Sequence, residues 1–302
     1  MSTVPVVACV GLACLDHVWQ VERFPPVASR TYAQTYRSHG GGPAATAAVA
    51  AARLGARAHL WASLGDDPAA DALQREFDGE GVHLHALRTP EARSFVAAVL
   101  VDPSGERYIF PFRGEGLRDD AGAFDWSDLS HAGVLLTDAR HPNASLFALE
   151  RARERGIATV GDWSDQRHWK QTDLIDHLIV SEECASLVAG RADPVTALPH
   201  LRRRSDQLVA VTLGPRGIVW DAGAGPFRSA APSVRVVDST GAGDAFHGAY
   251  AYAIAAGRDV RAAMRLASAV GALACTGPGR DALPSLSAAE ALAASLPDEE
   301  HA

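Results

Sequence analysis

The densest chemistry in this chain lies in residues 236–252, which read VVDSTGAGDAFHGAYAY. The valines at 234, 236 and 237 read as the end of a strand. Asp238, Ser239, Thr240, Gly241, Ala242 and Gly243 make a tight turn. From Ala245 onward small apolar residues at helical spacing predict a helix running to about Gly257. A helix N-terminus carries unpaired backbone N–H groups and a partial positive charge. Two glycines let an anion reach those groups, because no Cβ stands in the way. Gly241, Ala242 and Gly243 thus form a candidate anion site. Asp244 in the first turn would repel a phosphate, unless it serves a second reactant by taking the proton of an attacking hydroxyl. Phosphoryl transfer needs both parts: charge stabilisation on the transferring group and a base beside the nucleophile. A bare GxGD reads better as a turn with a dipole-favoured carboxylate; the whole DSTGAGD stretch, between a valine-rich strand and a small-residue helix, favours chemistry.

Two further glycine-bearing segments accompany it. GGGPAATAAVAAARLGA spans residues 40–56, and TLGPRG spans residues 212–217. Together with DSTGAGDAFHGAY, they make the chain similar to the PfkB, or ribokinase-like, family of sugar and nucleoside kinases over nearly its whole length. The resemblance implies one α/β domain over residues 1–302, with a mostly parallel central sheet, helices on both faces and a small β lid whose strands lie within residues 16–38 and 93–112. It implies transfer of the γ-phosphoryl of ATP, as Mg-ATP and with a monovalent cation such as K+ as a further candidate, to a sugar hydroxyl. Asp244 would be the base. Asp16, Gly41 and Gly42 would hold sugar. Thr212, Gly214, Gly217, Ala274 and Gly277 would hold nucleotide.

The chain departs from the family pattern in three places. Ala45 stands where an Asn commonly contacts the sugar. Ser181 and Cys184 stand where Asn-x-x-Glu usually helps to place magnesium, which leaves the metal ligands open, with Glu182 or Glu183 as substitutes. Residues 40–56 look most like kinases of keto sugars, including sulfofructose kinase. An anionic sugar would call for cations, and Arg30 and Arg140 are available; each also reads as an ordinary surface residue. The alternatives are a nucleoside or 2-keto-3-deoxygluconate kinase, or an inactive sugar-binding regulator of the same fold. A dinucleotide dehydrogenase fits poorly, because no G-x-G-x-x-G follows the first strand.

The elements that must position these residues follow from pattern. Residues 4–10 are a continuous apolar run ending at Gly11, a buried strand. Residues 18–21 and 31–38 predict two short strands joined through Pro25-Pro26. Residues 43–54, opened by Pro43, predict an alanine-rich helix. Residues 58–63 predict a strand, and Asp66-Asp67 the cap of the next helix. Residues 93–101 and 107–112 flank Asp102-Pro103-Ser104-Gly105-Glu106, a hairpin signal. From Gly133 strands alternate with helices: strands at 134–137, 157–162, 178–180 and 208–213, a helix at 143–155, and two final helices at 244–256 and 260–275. Such alternation implies a parallel sheet. Arg140 falls just past a strand end, where folds of this kind bind ligands. The small residues of 260–275 read either as a flat wall for an adenine or as tight packing.

Composition excludes several classes. The chain has 302 residues, 47% hydrophobic and 21% charged, with a net charge of -8. No basic cluster suits nucleic acid, and no apolar run suits a membrane span. No signal peptide is visible. Four scattered cysteines match no metal or redox spacing. A cytoplasmic enzyme is the expectation. Phe95, Val99, Val101, Ile109 and Phe112 give the lid more apolar surface than a hairpin hides alone, so a homodimer through the lids is expected.

Overall fold

The computed structural model describes residues 4–24, 27, 30–103, 107–164, 166–190 and 193–302. The expected connection at Pro25-Pro26 and the tip of the expected hairpin at 104–106 lie outside the described residues. In chain order the strands are β1 (Val6–Val10), β2 (Cys14–Gln20), β3 (Thr35–Gly41), β4 (Arg57–Gly65), β5 (Val82–Thr89), β6 (Val96–Val101), β7 (Arg107–Phe112), β8 (Val134–Thr137), β9 (Ala158–Trp163), β10 (His177–Ser181), β11 (Leu208–Thr212), β12 (Ile218–Asp221), β13 (Phe227–Ser229) and β14 (Glu300–His301). The helices are α1 (Pro43–Arg53), α2 (Pro68–Glu80), α3 (Pro142–Glu154), α4 (Glu182–Ala189), α5 (Pro194–Leu201), α6 (Ala242–Ala255), α7 (Val260–Ala274) and α8 (Leu286–Ala294).

Ten strands form one sheet in the order β14-β13-β12-β11-β10-β9-β8-β1-β4-β5. From β11 to β5 neighbouring strands are parallel; β12, β13 and β14 add antiparallel pairs at one edge. The central strands are largely apolar and buried because helices cover both faces. Val7, Cys9 and Leu136 face one layer with α1, α6 and α7, while Ala8, Val10 and Leu135 face the other with α3, α4 and α5. Each helix start follows local chemistry. Pro43 and Pro68 occupy first turns, and Asp67, Ser181 and Asp259 accept backbone N–H bonds as caps.

The smaller sheet runs β3-β2-β6-β7, with β6 and β7 an antiparallel hairpin as expected. Cys14, Val18, Ala97 and Val99 form its own apolar cluster. Several boundaries differ from the sequence expectation; β2 starts at Cys14 and so carries Asp16. β3 starts at Thr35, so Arg30 precedes it in an exposed, non-strand segment. Gly40 and Gly41 end the strand, and only Gly42 serves as the α1 cap. β6 begins at Val96. Residues 234–237 form no strand: Val236 and Val237 are 62% and 53% exposed, and the N–H of Val237 donates to the Cys275 carbonyl. β propensity alone makes no strand where no neighbouring strand is present to pair.

The alanines of α1 and the small residues of α7 serve packing. Gly248 of α6 lies so close to α1 that a Cβ there would stand 2.2 Å from the Ala47 carbonyl oxygen. Ala263, Ala267 and Ala269 of α7 are fully buried, so that part of its small-residue surface is core. Among the described residues no helix is long and apolar enough to cross a membrane.

Candidate active site

The glycine-rich turn enters α6 through Gly241, whose φ of 74° lies in the left-handed region that favours glycine. No side chain caps the helix, so its N-terminal dipole is available to an outside group. The turn itself is shaped by Asp238. One carboxylate oxygen accepts from the N–H and hydroxyl of Thr240 at 2.9 and 2.6 Å, and the other accepts from the Gly279 N–H at 3.1 Å. Arg107 of lid strand β7 reaches across to the Thr240 hydroxyl and stands 3.5 Å from Asp238. The lid hairpin is thereby tied directly to the turn beside Gly241.

Asp244 and Gly241 line a cavity of about 40 Å³ together with Asp16, His39, Gly40, Gly41, Gly42, Thr46, Thr240, Ala274, Gly279, Arg280 and Leu283. Six residues singled out in the sequence meet here: Asp16, Gly41, Gly42, Gly241, Asp244 and Ala274. A Cβ at Gly243 would meet nothing within 4 Å, so that backbone opens onto free space.

The glycines at 40–42 line this cavity and also lie close against the protein's own groups. A Cβ at Gly41 would stand 2.2 Å from the Asp16 carboxylate, one at Gly40 would stand 2.5 Å from Arg280, and one at Gly42 would stand 2.4 Å from the Leu12 carbonyl. They admit the protein's own groups, and through them fix Asp16. Arg280 is the buried hub of this corner. Its guanidinium pairs with Glu76 at 2.7 Å and donates to the Gly41 carbonyl and the Thr46 hydroxyl. Glu76 in turn accepts from the Gly40 N–H at 2.5 Å.

Burial raises the Asp16 carboxyl above its ordinary range, against the opposing pull of a Cys14 thiol bond and the charges of His39 and Arg280. Asp244 is raised further, to about 7, by burial first and then by the negative charge of Asp162; His247 opposes. Asp162, next to last in β9, lies 3.7 Å from the His247 ring nitrogen.

A second, larger cavity of about 470 Å³ lies under the lid. It is lined by Leu12, Cys14, Phe95, Pro111, Arg113, Asp138, Ala139, Arg140, Pro142, Trp163, Ser164, Arg167 and His168. Asp138 organises its floor: the buried carboxylate accepts from the N–H groups of Leu12 at 2.9 Å, Ala44 at 3.1 Å and Arg140 at 2.8 Å. Ala139 is held at a φ of 55°, unusual for a residue with a side chain, and Arg140 follows with its guanidinium donating to Ser164 at 2.7 Å. Arg30 lines neither cavity. Arg113 and Arg167 do, and sequence reasoning missed both, as it missed Arg280, Glu76 and Asp138. Only Asp138 carried a local signal, a carboxylate directly after the apolar strand β8.

The other singled-out positions sit elsewhere. Thr212 ends β11 and bonds the Val180 carbonyl, while Gly214 and Gly217 shape the following turn; none lines either cavity, nor does Gly277. Ala45 is fully buried in α1. Ser181 caps α4 by accepting the Cys184 N–H, Cys184 is buried, Glu182 pairs with Arg216, and Glu183 is exposed.

Residues 5–286 match the pfkB family carbohydrate kinase pattern. The chain belongs to this family. It is a sugar or nucleoside kinase of the ribokinase-like group, with the matching large sheet and smaller second sheet. Aminoimidazole riboside kinase of Salmonella typhimurium is 31% identical over 79% of the chain and 82% of its own length. ATP-dependent ribose-1-phosphate kinase of Halopiger xanaduensis is 28% identical over 93% of the chain and 94% of its own length. Among solved structures, one from Agrobacterium tumefaciens superimposes with a TM-score of 0.92 at 31% identity, covering 97% of this chain and 98% of that one. Fructokinase from Xylella fastidiosa, solved with bound ATP, gives 0.80 at 26% identity, covering 95% and 97%.

The raised Asp244 carboxyl has a consequence for stability in this kinase. Folded, it keeps its proton up to about 7, whereas the unfolded chain loses it near the ordinary 3.8. The stability it contributes is therefore fully present below about 3.8 and lost as pH rises to about 7. Asp244→Asn mimics the protonated form at every pH. Its melting temperature relative to wild type should climb between pH 4 and pH 7 and level off above, as read by thermal melts across that range; parallel curves would show that the carboxyl titrates normally.

Proposed function

We propose that this family member transfers the γ-phosphoryl group of ATP to a hydroxyl of a small keto sugar that itself carries an anionic group. In this reading Asp244 takes the proton of the attacking hydroxyl. The amides of Gly241, Ala242 and Gly243 hold the transferring phosphoryl at the N-terminus of α6. A carboxyl raised to about 7 suits that task, because a general base is most effective with its pKa near the working pH. Asp16, fixed by Gly41, accepts hydroxyls of the sugar. Thr212, Gly214, Gly217, Ala274 and Gly277 face the nucleotide. ATP in the relative from Xylella fastidiosa supports the choice of phosphoryl donor.

Magnesium is a hard cation that prefers oxygen ligands and is held largely by substrate phosphates. Cys184 is buried and Glu182 is engaged by Arg216, so the usual pair of positions offers it little. Asp162, beside Asp244, and Glu183, exposed on the first turn of α4, are the oxygen donors that fit. Bound there, the ion would neutralise charge on the phosphates, and the chain's own residues would position the sugar and move its proton.

The single observation that carries the anionic reading is the large cavity with Arg113, Arg140 and Arg167 on its wall. Arginine suits a planar two-pronged grip on carboxylate, sulfonate or phosphate. A relative whose named substrate, ribose 1-phosphate, carries such a group lends support. Sulfofructose and 2-keto-3-deoxygluconate are the sugars to test first, with neutral nucleosides as the alternative class. ADP formation is measured with these, fructose 6-phosphate, fructose and inosine. An anionic sugar should give the highest kcat/KM, and Arg140→Met should lower it by about 2–5 kcal/mol in transition-state stabilisation while barely affecting a neutral sugar. Equal losses on both, or a wild type that prefers fructose or a nucleoside, would defeat this reading.

A homodimer through the lids belongs to the same proposal. Val99 of the expected apolar set is buried within the lid, and Phe95 lines the large cavity. Ile109 of the same set, together with Tyr36, Tyr108 and Phe110, is 50–60% exposed on β3 and the edge strand β7. Exposed aromatics along an unpaired edge suit a second sheet. Light scattering at micromolar concentration should give twice the mass of the 31.7 kDa chain, and Ile109→Lys with Phe110→Lys should return it to one; a monomeric wild type would end the idea.

A further inference from the structure

Away from both cavities, at the β5 edge of the large sheet, three metal-ligating atoms converge. His59 of β4 and His85 of β5 project from the same face, on strands paired with His59 opposite His83 and Trp61 opposite His85. His59 Nδ1 lies 3.1 Å from His85 Nε2. The Oδ2 atom of Asp128, in the short 3-10 turn Ser127–His131, lies 3.6 Å from the first and 3.5 Å from the second. The carboxylate is thus too far from either ring for a good hydrogen bond, yet all three ligand atoms lie within 4.8 Å of one another. A tetrahedral ion with ligands at about 2.0–2.2 Å has neighbouring donors roughly 3.3–3.6 Å apart. The observed triangle nearly matches one face of such a tetrahedron.

The surroundings hold this triangle in place. Trp61 stacks flat on His85, with centroids 4.3 Å apart and planes 6° from parallel. Its indole N–H donates to the Asp125 carbonyl at 2.7 Å, and Trp126 stacks on Trp61 at 5.4 Å, which ties the turn carrying Asp128 to β4. Burial pushes His59 down to about 4 and lowers His85 as well; the negative charge of Asp128 opposes in both cases, Asp125 opposes at His85, and His83 and Arg57 reinforce the shift at His59. Neutral rings keep the lone pairs a metal needs. The Asp128 side chain is 44% exposed, so an ion can enter from solvent and keep a water ligand.

We propose that His59, His85 and Asp128 bind a zinc-type transition-metal dication, which pins edge strand β5 to the Ser127–His131 turn. Two imidazoles and one carboxylate suit such an ion and not magnesium or calcium, which prefer all-oxygen shells. The site is independent of the phosphoryl-transfer residues and does not depend on the substrate reading.

The test uses the full chain, stripped with chelator and free of nucleotide, titrated with zinc chloride by calorimetry and followed in parallel by thermal melts. One zinc per chain should bind and raise the melting temperature. His59→Gln and His85→Gln should each weaken binding by at least the roughly 10–100-fold that loss of a mere outer-shell partner costs. Asp128→Asn alters an exposed carboxylate and serves where a histidine variant fails to fold; it should also weaken binding and abolish the thermal shift. Absence of zinc binding in the wild type would overturn the proposal. So would stoichiometry and affinity unchanged in the folded variants, which would place the zinc on other histidines or cysteines.

Discussion

Three carboxylates, Asp138, Asp162 and Asp244, meet at the C-terminal edge of the large sheet, and burying so much negative charge is the constraint around which the site is built. Each is handled differently. Asp138 gives its charge to three backbone N–H groups, from the β1 exit, the first turn of α1 and the β8 exit. Asp162 has the His247 ring beside it. Asp244 lies at the uncapped end of α6 with only more distant cations, and burial drives it up to about 7; burial raises Asp138 as well, against its backbone bonds. A structural clamp, a neighbouring charge and a poised base thus arise from one crowded edge.

The same economy governs the glycines. Gly41 lies against Asp16, Gly40 against Arg280, and Gly248 against the α1 backbone. These close approaches hold β3, α1 and α6 together so that Asp16 and Asp244 line one cavity. Arg280 closes the corner from the far end of the chain, joining β3, α1 and α2 through Gly41, Thr46 and Glu76. Arg107 ties the lid to the turn before Gly241, so lid position and anion site are linked by a side chain.

Much of this was legible in the sequence where one short segment holds the whole signal. The turn into α6, the β6–β7 hairpin and the βα alternation after Gly133 are such segments. What stayed hidden depends on residues far apart in the chain. Arg113 and Arg167 join Arg140 only through the fold, and Arg280 meets Glu76 across 204 positions. Arg30 looked like a strand residue near substrate, but β3 begins five positions later. The valines before Asp238 have strand character and no partner strand, so they remain exposed. His59 and His85 are separated by 26 positions, and their side chains meet only once β4 and β5 pair in register.

The central claim is that Asp244 is the proton acceptor of a phosphoryl transfer, and one comparison tests it most directly. Steady-state ADP formation and equilibrium ATP binding are measured for the wild type and Asp244→Asn with the best sugar acceptor. Turnover should fall by roughly 100-fold or more, the scale of general-base catalysis, while ATP affinity stays nearly unchanged. Turnover close to wild type in the folded variant would contradict the account and move the base elsewhere.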